Sequence, residues 1–389
     1  MQQRVNLSTK VVDMKICVIS NGFPTKRSAS SIFVVKLCEQ WADQGHEVSI
    51  VTPQSLTNIL MGKSGHTAPA FTYYTAGGKT ISVYRPRSVT FSNIPLLKKV
   101  KNWLRQRAIA KAVKRIGSQD VYYCHFWNNG YDLYKAIGNM ARPLIVATGE
   151  SVIHLRTVDE KFRQAVNGAV CVSTKNMEES VCLGLTTREK CIVLPNAIDT
   201  AVFHKIDKQK CRQELRIEPE LFVVVYVGQF IKRKGYDRLA AAIDMLDDKD
   251  IGVIFLGKDN EGKVPLCRGV IHQGFANQQE IAKYLNAADV FVLPTQAEGC
   301  SNAIVEAMAC GLPIISSDLP FNHDILDSQN ALLINPEKVE QIAEAIKKIK
   351  DNKTLQTSLG ARSLEKAQSL TLPERAERII SFINSKIQK

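Results

Sequence analysis

Two carboxylates, Glu298 and Glu306, bracket the start of a short helical segment within the stretch 298–313. Small residues from Gly299 to Asn302 lead into a helix expected over 303–309. Gly311 then stands where a helix terminus favours a left-handed residue, and Pro313 blocks extension. A helix N-terminus presents N–H groups and partial positive charge, which suits a phosphate. Carboxylates would repel that phosphate unless they meet neutral hydroxyls on either side of it, as in a sugar and a ribose. By shape alone, a capped helix with two solvated glutamates fits equally well.

A second stretch favours the ligand. The loop Gly228–Gly235 carries three consecutive cations, Lys232, Arg233 and Lys234, between a strand end and a helix starting near Tyr236. A basic surface loop is the plain reading of that run on its own. Set on the same sheet as the bracketed helix, it makes a diphosphate the economical explanation. His125 ends another strand-like run, and Glu150 lies in the turn Thr148–Ser151 at the end of a further one.

The elements that must position these residues alternate regularly. Apolar runs at 15–20, 46–51, 80–85, 120–127, 143–147, 169–173 and 191–195 read as strands of one βα domain. Runs at 222–227, 252–256, 269–273, 289–293 and 313–317 restart the rhythm in a second. Helices are expected over 32–44, 97–116, 131–140, 236–246, 279–286, 339–349, 355–370 and 374–387. The expected organisation is an N-terminal extension (1–13), an acceptor-side Rossmann-like domain (14–195), a nucleotide-sugar-binding one (196–370), and a C-terminal helix (371–389) packing back on the first domain. The fold class is α/β, two Rossmann-like βαβ domains facing each other across a cleft.

Composition narrows the partners. The net charge of +13 is unevenly placed, with 26 Lys and Arg against 12 Asp and Glu up to residue 195, and 25 against 26 after it. An anionic partner for the first half follows. The helix 97–116 holds eight basic residues from Lys98 to Arg115 and no acidic one, with Val100, Leu104, Ala108, Val113 and Ile116 as its apolar side. That pattern reads as contact with an anionic membrane surface, or as a solvated basic face. No helix-turn-helix, zinc finger or RNP motif supports nucleic acid, and Gly252–Lys258 imitates a phosphate-binding loop with strand-forming residues that cannot wrap one. Ten scattered cysteines without a Cys-x-x-Cys pair indicate a reducing, cytosolic compartment, and neither a signal peptide nor a bilayer-spanning run is expected.

Gly228–Gly235, Gln273–Phe275, Ala288–Pro294 and the Glu298-x7-Glu306 stretch through Pro313 resemble the retaining family 4 glycosyltransferases, which have the GT-B fold. The likeness is strongest over 222–350 and extends to Gly45–Val48, His125–Phe126 and Asn196–Asp199. It implies transfer from a nucleotide-sugar, a UDP-sugar, to a lipid-linked or polysaccharide acceptor with retention, in cell-surface polysaccharide biosynthesis. His125, Glu298 and Lys234 would be catalytic. Gln229, Arg233, Lys234, Ser301, Asn302 and Ala303 would meet the diphosphate, Glu306 the ribose and Phe275 the base. Ser30, Ser31 and Glu150 would touch acceptor or sugar. The family's phosphate-side arginine is Gln229 here, which can hydrogen-bond an oxygen but not neutralise it. Front-face transfer uses the donor's own phosphate oxygen as base, so neither metal nor cofactor is expected, and the enzyme would work at the inner face of the cell membrane. A GT-B epimerase or phosphorylase-like enzyme, and a non-catalytic sugar-nucleotide-binding partner, stay open as alternatives.

Overall fold

The computed structural model describes residues 13–24, 31–61, 68–89, 97–258 and 264–387. Its strands are β1 Lys15–Ile19, β2 Glu47–Val51, β3 Gln54–Ser55, β4 Ala70–Tyr74, β5 Thr80–Tyr84, β6 Arg87–Ser88, β7 Val121–His125, β8 Leu144–Thr148, β9 Val166–Cys171 and β10 Cys191–Val193. They continue as β11 Phe222–Val227, β12 Ile251–Leu256, β13 Val270–Gly274, β14 Val290–Leu293, β15 Ile314–Ser317 and β16 Ala331–Ile334. One sheet runs β10-β9-β8-β7-β1-β2-β5-β4, a second β13-β12-β11-β14-β15-β16, and β3 pairs with β6. The chain divides into two compact units, one of Met1–Ala147, Leu155–Ala169 and Ile380–Lys389, the other of Thr148–His154 and Val170–Ile379.

Each apolar run read as a strand is one. The reason is plainest in the second unit, where every residue of β11, β12, β14 and β15 is buried. A parallel strand covered on both faces needs a continuous apolar run, whereas a half-exposed one alternates. Four neighbouring pairs around β11 and β14 are parallel, so all their carboxyl ends, and the loops that follow them, lie on one edge. In the first unit β1, β2, β5, β7 and β8 are parallel, and β4 runs antiparallel to β5.

Past residue 150, three helices escaped the periodicity reading: Glu160–Ala165, Thr174–Cys182 and Lys208–Leu215. They are too short for a stripe to be distinctive, but each had a readable start. Asp159, Ser173 and Asp207 cap them through bonds from the N–H groups of Phe162, Asn176 and Lys210. The helix expected at 131–140 occupies Trp127–Ile137 instead. Phe126 adopts φ 78°, which turns the chain directly out of β7 and starts the helix four residues early.

The basic helix spans Lys98–Ile116, but its buried face is Ile109, Ala112 and Val113, while Val100 is exposed. Arg105, one turn before Ile109, explains the shift of the stripe. Its Nε donates to Asp132 Oδ2 (2.8 Å) and its Nη2 to Asn129 Oδ1 (2.7 Å), so this position is polar and paired.

Candidate active site

β11 and β14 are adjacent, with Val224 opposite Val290 and Val225 opposite Phe291. Their following loops, 228–235 and 294–301, are therefore neighbours by topology, and three sets of bonds lock them. Arg238 donates to the carbonyls of Lys232 (3.0 Å), Pro294 (2.8 Å) and Pro336 (2.6 Å). Gln296 N–H donates to the Arg233 carbonyl (2.9 Å). Arg233 Nη1 donates to the Ala297 carbonyl.

This frame holds Glu298. Lys234 Nζ donates to Glu298 Oε1, Thr295 Oγ1 donates to the same oxygen at 2.9 Å, and Arg233 Nη1 lies 3.8 Å from it. Glu298 is buried. All three groups converge on Oε1, so Oε2 keeps its acceptor capacity among the described residues. The sequence set the cations and the carboxylate on separate sides of a ligand; the structure joins Lys234 and Glu298 as an ion pair.

The helix begins at Asn302 and ends at Ala309, one residue earlier at its start than expected. Ser301 stands at its N-cap but makes no side-chain capping bond, so its first-turn N–H groups are not occupied by that hydroxyl. Asn302 Oδ1 instead accepts from Asn196 Nδ2 (2.7 Å), which also donates to the Cys300 carbonyl (2.9 Å). Gly311 has φ 76°, as its position required. Glu306 lies one turn inside the helix, half-buried, and its carboxylate has no ion pair or hydrogen bond among the described residues. Burial pushes its carboxyl up to about 7.

The turn Thr148–Ser151 joins this group. A Cβ on Gly299 would sit 2.2 Å from the Gly149 carbonyl oxygen and 3.1 Å from Asn176 Oδ1. Asn176 Nδ2 donates to the Glu150 carbonyl (2.9 Å), and Thr148 Oγ1 donates to Glu150 Oε2 (2.8 Å). Burial raises the Glu150 carboxyl above its ordinary value. Neither Asn196 nor Asn176 was legible as a site residue, because Asn196 bonds across 104 positions of chain and Asn176 bonds a turn 26 positions before it. Gly299→Ala should destabilise the protein by about 2 kcal/mol, since the added Cβ would press on the Gly149 backbone, which cannot rotate away as a side chain can. A lowered denaturant midpoint with unchanged slope would show it; an unchanged midpoint would refute the close approach.

Gln229 is exposed, with its carbonyl accepting from Tyr226 Oη (2.9 Å). Phe275 is 66 % exposed, and Lys258 Nζ lies 4.9 Å from its ring centre. His125 and Ser31 belong to the first unit. His125 is buried at the end of β7, its ring 4.9 Å from Phe33 and 3.9 Å from Phe126, and its carbonyl accepts from Asn129 Nδ2. Ser31 precedes the helix Ile32–Asp43 with φ 59° and no capping bond. Ser30 lies outside the described residues. No group of three or more His, Cys, Asp or Glu is placed to hold a metal among the described residues.

Residues 207–366 match the family model for glycosyl transferases group 1. TuaC of Bacillus subtilis strain 168, a glycosyltransferase assigned to teichuronic acid biosynthesis, is 27% identical over 354 residues, covering 86% of this chain and 88% of that one. Among solved structures, sucrose-phosphate synthase from Thermosynechococcus elongatus superposes with TM-score 0.75 at 18% identity, covering 95% and 98% of the two chains. Anabaena HepE in complex with UDP and glucose gives TM-score 0.69 at 18% identity over 96% and 100%. The chain therefore has the GT-B fold, and its segment 207–366 is similar to the group 1 glycosyl transferases.

Proposed function

We propose that this protein transfers a sugar from a UDP-sugar to a lipid-linked or polysaccharide acceptor, with retention at the anomeric carbon, in cell-surface polysaccharide biosynthesis. The observation that carries this reading is the pair of carboxylates around the helix start at Asn302. Glu298 is fixed through Oε1 with Oε2 able to accept a sugar hydroxyl, and Glu306 is desolvated with no partner among the described residues, which suits ribose hydroxyls. The N–H groups of Ser301, Asn302 and Ala303 suit the diphosphate between them. Lys234 and Arg233 supply positive charge as the anomeric C–O bond to the diphosphate breaks, and Gln229 can add a hydrogen bond but no charge. The acceptor oxygen forms the new bond on the same face, and its proton passes to the departing phosphate oxygen. His125 would act on the transferred sugar, and Phe275 would lie against the base.

TuaC is assigned to teichuronic acid biosynthesis and the HepE complex contains UDP and glucose, which supports the donor and the pathway class. A thermal-shift panel of UDP, GDP, ADP and their sugar conjugates tests the reading. UDP compounds should raise the melting midpoint and release UDP with an acceptor present. If no nucleotide stabilises the protein, the reading fails.

The reading includes the inner membrane face. On the helix Lys98–Ile116, Trp103 is exposed with Arg107 4.7 Å over its ring, and Lys98, Lys99, Lys111, Lys114 and Arg115 are exposed beside it. No described helix is long and apolar enough to cross a membrane. Each basic residue near an anionic leaflet contributes about 1 kcal/mol. Sedimentation with anionic vesicles, absent with neutral ones and lost at high salt, is the expected result; equal binding to both would remove the membrane role.

A further inference from the structure

β5 carries a cation on its core-facing row. Ile81 and Val83 are wholly buried, and the same alternation puts Arg85 next, directly past the strand end. Arg85 is only 5% exposed. Its backbone N–H donates to the Pro69 carbonyl (2.7 Å), continuing the β4–β5 pairing. Its guanidinium lies 4.6 Å over the Phe71 ring and 5.3 Å over the Phe23 ring, which meet edge to face at 5.4 Å. Tyr73 closes the aromatic group, its ring 5.5 Å from Phe23, and its hydroxyl is committed to Glu39 Oε1.

No carboxylate pairs with Arg85 among the described residues, and its buried Nε has no hydrogen-bond partner. Burial depresses its basicity, with no neighbouring acid to offset that effect. The other arginine buried among the described residues, Arg212, shows what a structural guanidinium looks like here. It bonds Asp289 Oδ2 (2.7 Å) and the carbonyls of Ala287, Glu218 and Pro219. Ring faces attract a cation but satisfy none of its five N–H donors. A desolvated guanidinium set against two rings, with its fork uncommitted among the described residues, is arranged for an oxyanion supplied from outside the chain.

Its place in the fold agrees. β1, β2 and β5 are parallel, and Arg85 and Phe23 both follow carboxyl ends of these strands, the edge where α/β sheets bind ligands. We infer that Arg85, backed by Phe23 and Phe71, binds an oxyanion, phosphate or carboxylate, of the glycosyl acceptor. Assignment to the acceptor rests on the transferase reading above; the oxyanion site rests on Arg85 alone.

The test is calorimetric titration of the full chain with inorganic phosphate, and separately with D-glucuronate, at ionic strength fixed by chloride. Saturable binding is expected, weakened about tenfold or more in Arg85→Gln but changed less than about twofold in Lys347→Met, a variant of an exposed lysine outside both sites. A preference for phosphate points to a phospholipid-linked acceptor, and a preference for glucuronate to an acidic saccharide. If neither anion binds the wild type up to about 50 mM, or both bind Arg85→Gln as well as wild type, the site is refuted. Should Arg85→Gln not fold, Arg85→Lys decides. It keeps the charge but loses the planar fork, so affinity should fall about threefold or more, and an unchanged affinity overturns the inference. Phosphate binding through Arg85 without any UDP binding would uphold this site and count against the transferase reading.

Discussion

Glu306→Gln is expected to stabilise the free protein above neutral pH while weakening UDP by about tenfold or more, two effects of opposite sign from one carboxylate. Its folded carboxyl is raised to about 7 from an ordinary value of 4.5, because burial disfavours its charged form. Between those values the folded state holds a proton that the unfolded state has released. Stability therefore falls as pH rises from about 4.5 to about 7, by up to about 3 kcal/mol in total. The amide cannot ionise, so the variant should lack that slope and be the more stable protein at pH 8. Ribose hydroxyls donate best to the ionised carboxylate, so wild-type affinity for UDP should rise through pH 7 with proton release. Denaturant melts and UDP titrations at pH 5.5 and 8 measure both. A parallel pH dependence in the two proteins would sink the desolvation argument; undiminished UDP affinity would sink the ribose role.

Lys234→Met should lower turnover by about 100- to 1000-fold, since the fixed charge facing the leaving diphosphate is removed. It should also destabilise the fold by about 2–3 kcal/mol, because Glu298 stays buried with Thr295 and a 3.8 Å Arg233 contact as its remaining partners on Oε1. Adding Glu298→Gln separates these effects. The double variant should regain most of the stability, as a neutral amide tolerates the site, yet recover no turnover. Urea midpoints and single-turnover rates with a UDP-sugar give the cycle. Turnover in Lys234→Met within threefold of wild type, about 0.7 kcal/mol, would remove Lys234 from the reaction.

The contrast between Glu298 and Arg85 marks how far the residues could be read without the fold. Glu298 stood out because small residues, a helix start and a spaced second carboxylate surround it within one short stretch. Arg85 closes a strand read correctly as a strand, and nothing near it in the chain signals chemistry. Its meaning comes from Phe23 and Phe71 and from the lack of an acidic partner among the described residues, all of which are properties of space. The apolar side assigned to the helix Lys98–Ile116 missed for a related reason: periodicity allows several neighbouring stripes, and the Arg105 bonds to Asp132 and Asn129 select one.

By itself the sequence determined the two alternating βα arrays, the helix start between Glu298 and Glu306, and the left-handed turn at Gly311. Each depends on local backbone preference or on burial along one strand, and both are encoded by neighbours in the chain. Only the tertiary structure decided which oxygen of Glu298 is occupied, that Gly149 presses on Gly299, that Asn196 holds the loop ahead of the helix, and that Glu306 and Arg85 are desolvated without partners among the described residues. Desolvation and pairing are set by what packs within a few ångströms, and parallel strands bring together residues far apart in sequence.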